Sequence, residues 1–452
     1  MSLLPPKLLA LLDALRLRVP LRTAAFALQD LLRRAFTPVI VHKINALARR
    51  KRRELKASGR PIRVWFLAIN PAQFVYQNLY ETMAGDKDFE PGVLLCPEWV
   101  AVGAEAETAQ KKFFADKGMR VATRIDWCRP PDVVFFPNLD DRVFSGVIQL
   151  HKVFDKILCC SLLYSMGLDN SGDFYVCHPD FRYVWRQYVP CQHYKELAVR
   201  HGWRNGDNVT CCGSPKSDSL LSARWDCPPP PWKESAHTRT RIIWAPHWSV
   251  LTFGRMSNFD RYYRSFLDYL TRHPEIEIIL KPHPLLKARL TDPATKARFA
   301  REDARYEETD CLPTAQAFDD FVAAWCALPN ANVMDTGDYN DLFASSDAMI
   351  LDSVSFMAEY MVTEKPMCFC LREPLSRLQS RLGFNEFGKD LLSAMTQAPD
   401  WDGIVAFIDR IVSTGDDGLR ERRQQVVAKH LSVNRGRVCS FIADGIKQSL
   451  GR

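Results

Sequence analysis

"IIWAPHWSV" (residues 242–250) is an apolar run that stops at Ala245-Pro246-His247-Trp248. A second run, "IEIIL" (276–280), stops at Lys281-Pro282-His283-Pro284, and a third, "AMIL" (348–351), runs into "DSVSFMAEYMV" (352–362). Short runs with no polar alternation read as strands buried on both faces. The helical stretch between the first two, "FDRYYRSFLDYLTRH" (259–273), makes the pattern a parallel α/β sheet. In such sheets ligands bind beyond the carboxyl ends of the strands, so His247, Lys281, His283 and Asp352 are expected to line one rim. Ser353 and Ser355 open an amphipathic helix there, where free backbone N–H groups and the helix dipole attract a phosphate.

Working back toward the N-terminus, the same pattern occurs once more. "IRVWFLAIN" (62–70), "GVLLC" (92–96), "MRVATRI" (119–125), "DVVFFPN" (132–138), "KILCCSLL" (156–163) and "NVTCCG" (208–213) are apolar runs with helical stretches between several of them. Asn70-Pro71 reads as the N-cap and first position of a helix over "AQFVYQNLYETM" (72–83). In "CCGSPKSDSLL" (211–221), Gly213 is expected to let the backbone approach a ligand, with Ser214 and Lys216 reaching an anion. Four consecutive prolines in "WDCPPPPWKESAHTRT" (225–240) fit a stiff linker and neither a helix nor a central strand.

The fold class expected is therefore α/β, with two Rossmann-like doubly wound halves and an N-terminal helical arm. The divisions are 1–60 (basic amphipathic arm), 61–224 (first Rossmann-like half), 225–240 (linker), 241–430 (second Rossmann-like half) and 431–452 (a C-terminal helix across the joint). A chain of 452 residues is too long for one core, which agrees.

Charge is concentrated in the arm. Residues 1–60 hold 14 Lys/Arg against 3 Asp/Glu, while the rest of the chain holds 46 against 50. The body is thus no general nucleic-acid binder, and no partner nucleic acid is expected. Leu8, Leu12, Leu15 and Ala24, Leu28, Leu31, Leu32 recur at helical spacing, with Arg16, Arg22, Arg33 and Arg34 between them, followed by "ARRKRRELK" (48–56). That is the pattern of a helix lying in an anionic membrane surface, reached through residues 1–57, and the alternative is a helical pair packed on the protein with a solvated basic tail. No uncharged run is long enough to cross a bilayer, so the expected location is the cytoplasmic face of the cell membrane, peripherally held. Fourteen cysteines lie in strand-like runs without any Cys-x-x-Cys, which points to reduced thiols and no metal site. No Gly-x-Gly-x-x-Gly or P-loop is present, and no cofactor is expected. The acidic pairs Asp140-Asp141 and Asp335/Asp338 read as turns.

Together these residues resemble the CDP-glycerol glycerophosphotransferase family, the teichoic-acid and capsule polymerases with the two-Rossmann GT-B fold. "GSPKSD" (213–218), "IIWAPHW", "KPHP" and "YNDLFASSDAMILDSVSFMAEYMVTEKPMCF" (339–369) carry the likeness, which spans most of residues 60–445. The last is the most specific, because its order and spacing hold over some 30 residues. The resemblance implies a CDP-linked donor whose pyrophosphate sits on the 353–355 helix start and the Lys281/His283 turn, with the Ser214–Asp218 turn at the cleft. An acceptor hydroxyl, on a glycan or a polyprenyl-linked molecule, would attack the phosphorus nearest the glycerol and expel CMP.

Two departures bear on the chemistry. The family's Trp-His-Gly element of the first half has no histidine here; "CCSLLYSMGLDNSG" (159–172) offers Tyr164 and Ser165. The family's Ala-Pro-Thr-Trp-Arg reads Ala-Pro-His-Trp-Ser, gaining His247. His247 and His283 are therefore the expected catalytic residues, His247 as the replacement base, and Gly213, Ser214, Lys216, Lys281, Asp352, Ser353 and Ser355 the expected donor-binding set. His178 and His193 are further first-half histidines. Competing expectations are a GT-B enzyme taking a nucleotide sugar (a glycosyltransferase or a sugar 2-epimerase relative) and a non-catalytic subunit of a glycan assembly complex.

Overall fold

The computed structural model of the protein describes residues 18–69, 71, 74–96, 104–137, 148–163, 166–169, 176–222, 232–235, 237–250, 256–292, 314–335 and 339–452. Among them the strands form two sheets in which every pairing is parallel. The first contains β1 (Ile62–Ala68), β2 (Phe89–Leu95), β3 (Val121–Ala122), β4 (Val133–Phe136), β5 (Leu158–Leu162), β6 (Arg186–Val189) and β7 (Val209–Cys211), in the order β3-β2-β1-β4-β5-β6-β7. The second contains β8 (Thr240–Ala245), β9 (Ile276–Leu280), β10 (Ala331–Val333), β11 (Ala348–Leu351), β12 (Met367–Cys370) and β13 (Thr396–Ala398), in the order β10-β9-β8-β11-β12-β13. Both are doubly wound, and the winding reverses between β1 and β4 and between β8 and β11. The two halves together make a GT-B architecture.

The helices that matter for the site are α1 (Arg18–Ser58), α2 (Gln77–Ala84), α3 (Lys216–Ser222), α4 (Phe259–Arg272), α5 (Asn340–Ser345), α6 (Val354–Met361), α7 (Trp401–Thr414), α8 (Arg420–His430) and α9 (Val438–Leu450). Central strands are buried along their whole length: all of β4, β5, β9, β11 and β12. The amphipathic α4 shows why the pattern forces this arrangement. Phe259, Tyr263, Phe266 and Leu270 fall on one face and pack with Trp244 of β8 and Trp325.

The basic arm docks on the body for much of its length. Thr37, Ile40, Ile44, Leu47, Lys51 and Leu55 form a buried stripe at spacings of three and four on α1. Ile40, Ile44, Leu47 and Leu55 share a core with β1 and with Ile442, Ile446 and Leu450 of α9. Each fully buried aliphatic side chain contributes about 2 kcal/mol, so this part of α1 belongs to the first half and is no free tail. Lys51 reaches the fully buried Asp132 at 3.0 Å, and Arg60 grips the same carboxylate with two bonds, at 2.7 and 3.0 Å. Burial pushes the Asp132 carboxyl up, but Arg60 and Lys51 outweigh it and hold it below its ordinary range. Residues 1–17 of the arm lie outside the described residues. Among the described residues no helix is long and apolar enough to cross a membrane.

The chain's last helix, α9, crosses back to the first half, where Val438, Cys439 and Ile442 join the core around β1. Past the four prolines, which lie outside the described residues, Trp232 donates from Nε1 to Ser345 at 2.8 Å and the Lys233 ammonium donates to the Cys326 and Leu328 carbonyls. The end of the linker is thus anchored to the second half. The twelve described cysteines are free thiols.

Two local expectations are corrected, and two strands are new. The helix expected from residue 72 starts at Gln77, because Val75 and Tyr76 are drawn into the core and the Tyr76 hydroxyl donates to the Leu162 carbonyl. β3 is two residues long, since the run 119–125 turns away after Ala122. β6 and β13 were not foreseen: "RQYV" and "TQA" are short and carry polar side chains.

Candidate functional site

The reversal point of a doubly wound sheet leaves a crevice beyond the carboxyl ends of the two strands that flank it. In the second sheet those strands are β8 and β11, with β9 next to β8. His247 follows β8, Lys281 and His283 follow β9, and Asp352-Ser353 follow β11. Neighbouring strands lie about 4.8 Å apart, so these groups share one rim. The imidazole rings of His247 and His283 are 5.6 Å apart between centroids, and Trp248 lies beside both, at 5.2 and 6.2 Å.

Asp352 holds the rim together and does not face it. Its carboxylate is buried and accepts from the His247 amide at 2.6 Å, the Asn258 amide at 2.5 Å and the Asn258 side-chain amide at 3.4 Å. Burial raises this acid to about 7 against the pull of those donors. The expectation that Asp352 would bind donor is therefore corrected: its oxygens are already taken, and its work is to pin the β8 turn to the end of β11. Ser353 stands at the N-cap of α6, where its hydroxyl makes no capping bond, and Ser355 is exposed one turn position on. Free N–H groups of α6 thus open onto the rim beside two hydroxyls.

Electrostatically the rim is a desolvated place for an anion. Lys281 is only 4% exposed, and burial lowers its ammonium to about 8. Its charge lies 5.9 Å from the Tyr339 ring centroid. Burial depresses His247 to about 3, aided by His283; His283 falls to about 4 through burial and the Lys281 charge. Both imidazoles are neutral at pH 7, and an incoming phosphate would meet one buried cation and two neutral rings.

Across the cleft, the Lys216 ammonium of α3 bonds Glu359 of α6 at 2.7 Å and the Tyr339 hydroxyl at 3.3 Å, and Tyr339 also donates to Glu359. A small, open hollow lies there, lined by Val75, Leu162, Met166, Ser214, Lys216 and Glu359. Ser219 joins the halves as well, meeting Asn78 of α2 at 3.0 Å and Asn340 of α5 at 2.9 Å. Lys216 and Ser214 are therefore at the cleft as expected.

Gly213 and Asp218 of the same motif serve packing. A Cβ on Gly213 would stand 2.2 Å from the Val433 carbonyl oxygen, and its φ is +90°. Glycine is required there by the C-terminal segment, and Gly213 also lines the hollow beside Ser214 and Lys216. Asp218 accepts from the Val438 and Cys439 amides at 3.0 and 2.8 Å and so caps α9. His178 caps a short turn through Asp180, and His193 packs edge-on against Tyr194. Tyr164, Ser165, Asp140, Asp141 and Asp338 lie outside the described residues. Tyr339, Ser249 and Asn258 were missed: each works through a partner distant in sequence or through its own turn, which no spacing announces. Among the described residues no group of three or more His, Cys, Asp or Glu could hold a metal ion.

The family model described as CDP-Glycerol:Poly(glycerophosphate) glycerophosphotransferase matches residues 187–448, more than half of the chain. The chain belongs to this family. It is accordingly a transferase, and the rim at β8, β9 and β11 falls wholly inside the matched residues. No curated protein matches it by sequence. Among solved structures it is similar in fold to the wall teichoic acid polymerase TagF, at TM-score 0.54 and 14% identity over 93% of this chain and 98% of that one. It is also similar to UDP-GlcNAc 2-epimerase from Neisseria meningitidis, at TM-score 0.53 and 11% identity over 86% of this chain and 100% of that one.

Proposed function

We propose that this glycerophosphotransferase-family member moves a polyol phosphate from a CDP-linked donor to a cell-surface glycopolymer or lipid-linked acceptor. The observation that carries the reading is the placement of Lys281, His247, His283 and the open N-terminus of α6 around one sheet reversal point. A diphosphate needs a cation, neutral donors and helix N–H groups in one desolvated spot, and these residues supply them. In the reaction, the acceptor oxygen forms a bond to the phosphorus nearest the polyol. The bond from that phosphorus to the CMP oxygen breaks with its electron pair, and the hydroxyl proton is released. Catalysis then consists of aligning the two reactants and neutralising charge on the transferred group.

The acceptor enters from the first half, past Lys216 and Ser214. The outer side of α1 carries exposed Arg49, Arg50, Arg52, Arg53 and Lys56, with Phe36 and Val39 61% and 54% exposed near its middle. This suits contact with an anionic membrane bearing the lipid-linked acceptor. Changing Arg49, Arg50, Arg52 and Arg53 to Glu, with Lys51 kept for Asp132, is expected to release the protein from anionic vesicles in co-sedimentation; unchanged binding would refute the contact.

The donor is tested by thermal shift with CDP-glycerol, CDP-ribitol, CMP, UDP-sugars and GDP-mannose. A ligand raises Tm according to its concentration over Kd. Stabilisation by CDP-polyols above the nucleotide sugars, diminished in Ser353→Ala, is the expected result. A preference for a nucleotide sugar would replace phosphoryl transfer with glycosyl transfer, and no shift from any of them would favour a binding subunit.

A further inference from the structure

The ring of His247 is held from one side by its own turn. The Ser249 backbone N–H donates to His247 Nδ1 at 3.3 Å, and the Ser249 hydroxyl lies 2.7 Å from the same nitrogen. That hydroxyl oxygen also accepts from the Met256 amide at 3.1 Å, which holds it in place, and its own hydrogen can turn to Nδ1. A backbone amide can only donate, so a hydrogen on Nδ1 would point straight at another hydrogen. Ser249 is 2% exposed.

We propose that Ser249 is a positioning residue that fixes the ring proton of His247 on Nε2, so that His247 serves as a neutral hydrogen-bond donor to a phosphoryl oxygen and not as the base for the acceptor hydroxyl. His283 shows the same arrangement on the next strand: its Nδ1 accepts from the Leu285 amide at 3.1 Å. Two Nε2–H groups then converge on one rim, and together with Lys281 they offset charge that spreads over the oxygens of a transferring phosphoryl group. Burial keeps both rings neutral, as a donor role requires. Release of the hydroxyl proton falls to the departing CMP phosphate or solvent, as a loose phosphoryl transition state allows. This assignment replaces the expectation that His247 is the substitute base, and it rests on the reading that the rim receives a phosphoryl donor.

The test pairs a substrate-free measurement with variants. Nitrogen-15 NMR of histidine-labelled protein, with the His247 signal assigned by its loss in His247→Gln, reads which ring nitrogen bears the proton. Nδ1 unprotonated and Nε2 protonated from pH 5 to 8 is expected; a proton on Nδ1, or a titration near 6.5, would overturn the proposal whatever the donor proves to be. In turnover, the side-chain amide of His247→Gln can donate but cannot take a proton. The expected losses are about 10-fold for His247→Gln and about 100-fold for His247→Ala. Equal losses in the two, with folding intact by circular dichroism, would make His247 a base. Ser249→Ala keeps the backbone N–H on Nδ1 but loses the hydroxyl bond; its rate is expected to fall about 10-fold, and the same nitrogen-15 measurement is expected to show part of the His247 rings turned or carrying the proton on Nδ1. An unaltered rate and an unaltered ring-nitrogen spectrum in Ser249→Ala would remove Ser249 from the role, and this variant carries the test if His247→Gln does not fold.

Discussion

The turn after β7 and the turn after β9 are both family motifs, and they do opposite work. In "KPHP" the lysine and histidine are aimed into the cleft rim, while their backbone closes the turn by ordinary bonds to Trp244 and Pro246. In "GSPKSD" the glycine and the aspartate are consumed by the C-terminal segment, Gly213 under Val433 and Asp218 under the first turn of α9, and Lys216 is left to face the cleft. A motif string tells which residues matter and says nothing of whether they hold a substrate or hold the protein. The difference lies in what closes over each turn. The β9 turn opens onto the cleft at the sheet's reversal, whereas the β7 turn, at the sheet edge, is roofed by a segment more than 200 residues later.

Substitutions at the two turns should therefore fail in different ways. Gly213→Ala would combine a left-handed backbone with a collision against Val433, and is expected to cost roughly 3 kcal/mol of stability, read as a fall in Tm. Donor affinity of the molecules that remain folded should be unchanged; a selective loss of donor binding at normal Tm would return Gly213 to the site.

The next effect comes from pH. His247 titrates near 6.5 when unfolded and at about 3 when folded, so between these values the unfolded chain binds the extra proton. Its contribution is present above 6.5 and is lost as pH falls, by about 2 kcal/mol at pH 5. Asp352, raised to about 7, slopes the other way: the folded chain binds more protons above the ordinary carboxyl range, and stability falls as pH rises toward 7. Comparing unfolding of wild type and His247→Gln from pH 5 to 7 separates the two. The variant should lose the acid-side decline, and identical profiles would mean that His247 is not desolvated.

The smallest change is Asp218→Ala. Loss of the α9 cap is expected to cost about 1 kcal/mol, with no change in affinity for the donor. A drop in donor affinity without a change in stability would place Asp218 in the site and erase the contrast between the turns.

The fold was legible because its signals are local. "IEIIL" and "AMIL" cannot be half-exposed strands, and the strand ends they share decide where the rim lies. The rim's lysine, histidines and serines were legible for the same reason. Asp352 was misread because its partners, the His247 and Asn258 amides, are some 100 residues away in sequence, and a carboxylate at a helix start looks the same whether it caps or crosses the sheet. The arm was read for its charge and for an apolar face between Leu8 and Leu32, while the stripe from Thr37 to Leu55 that docks it on β1 lies beneath that charge and needs the partner helix α9 to be seen. The role of Ser249 depends on the direction of one N–H bond, which no sequence pattern encodes.

The most direct test of the account is calorimetric titration of CDP-glycerol into Lys281→Met and Asp218→Ala beside the wild type. Binding weakened at least tenfold in Lys281→Met and retained in Asp218→Ala is the result this account predicts. Equal affinities in all three proteins, or a loss confined to Asp218→Ala, would contradict the placement of the donor at the ends of β8, β9 and β11.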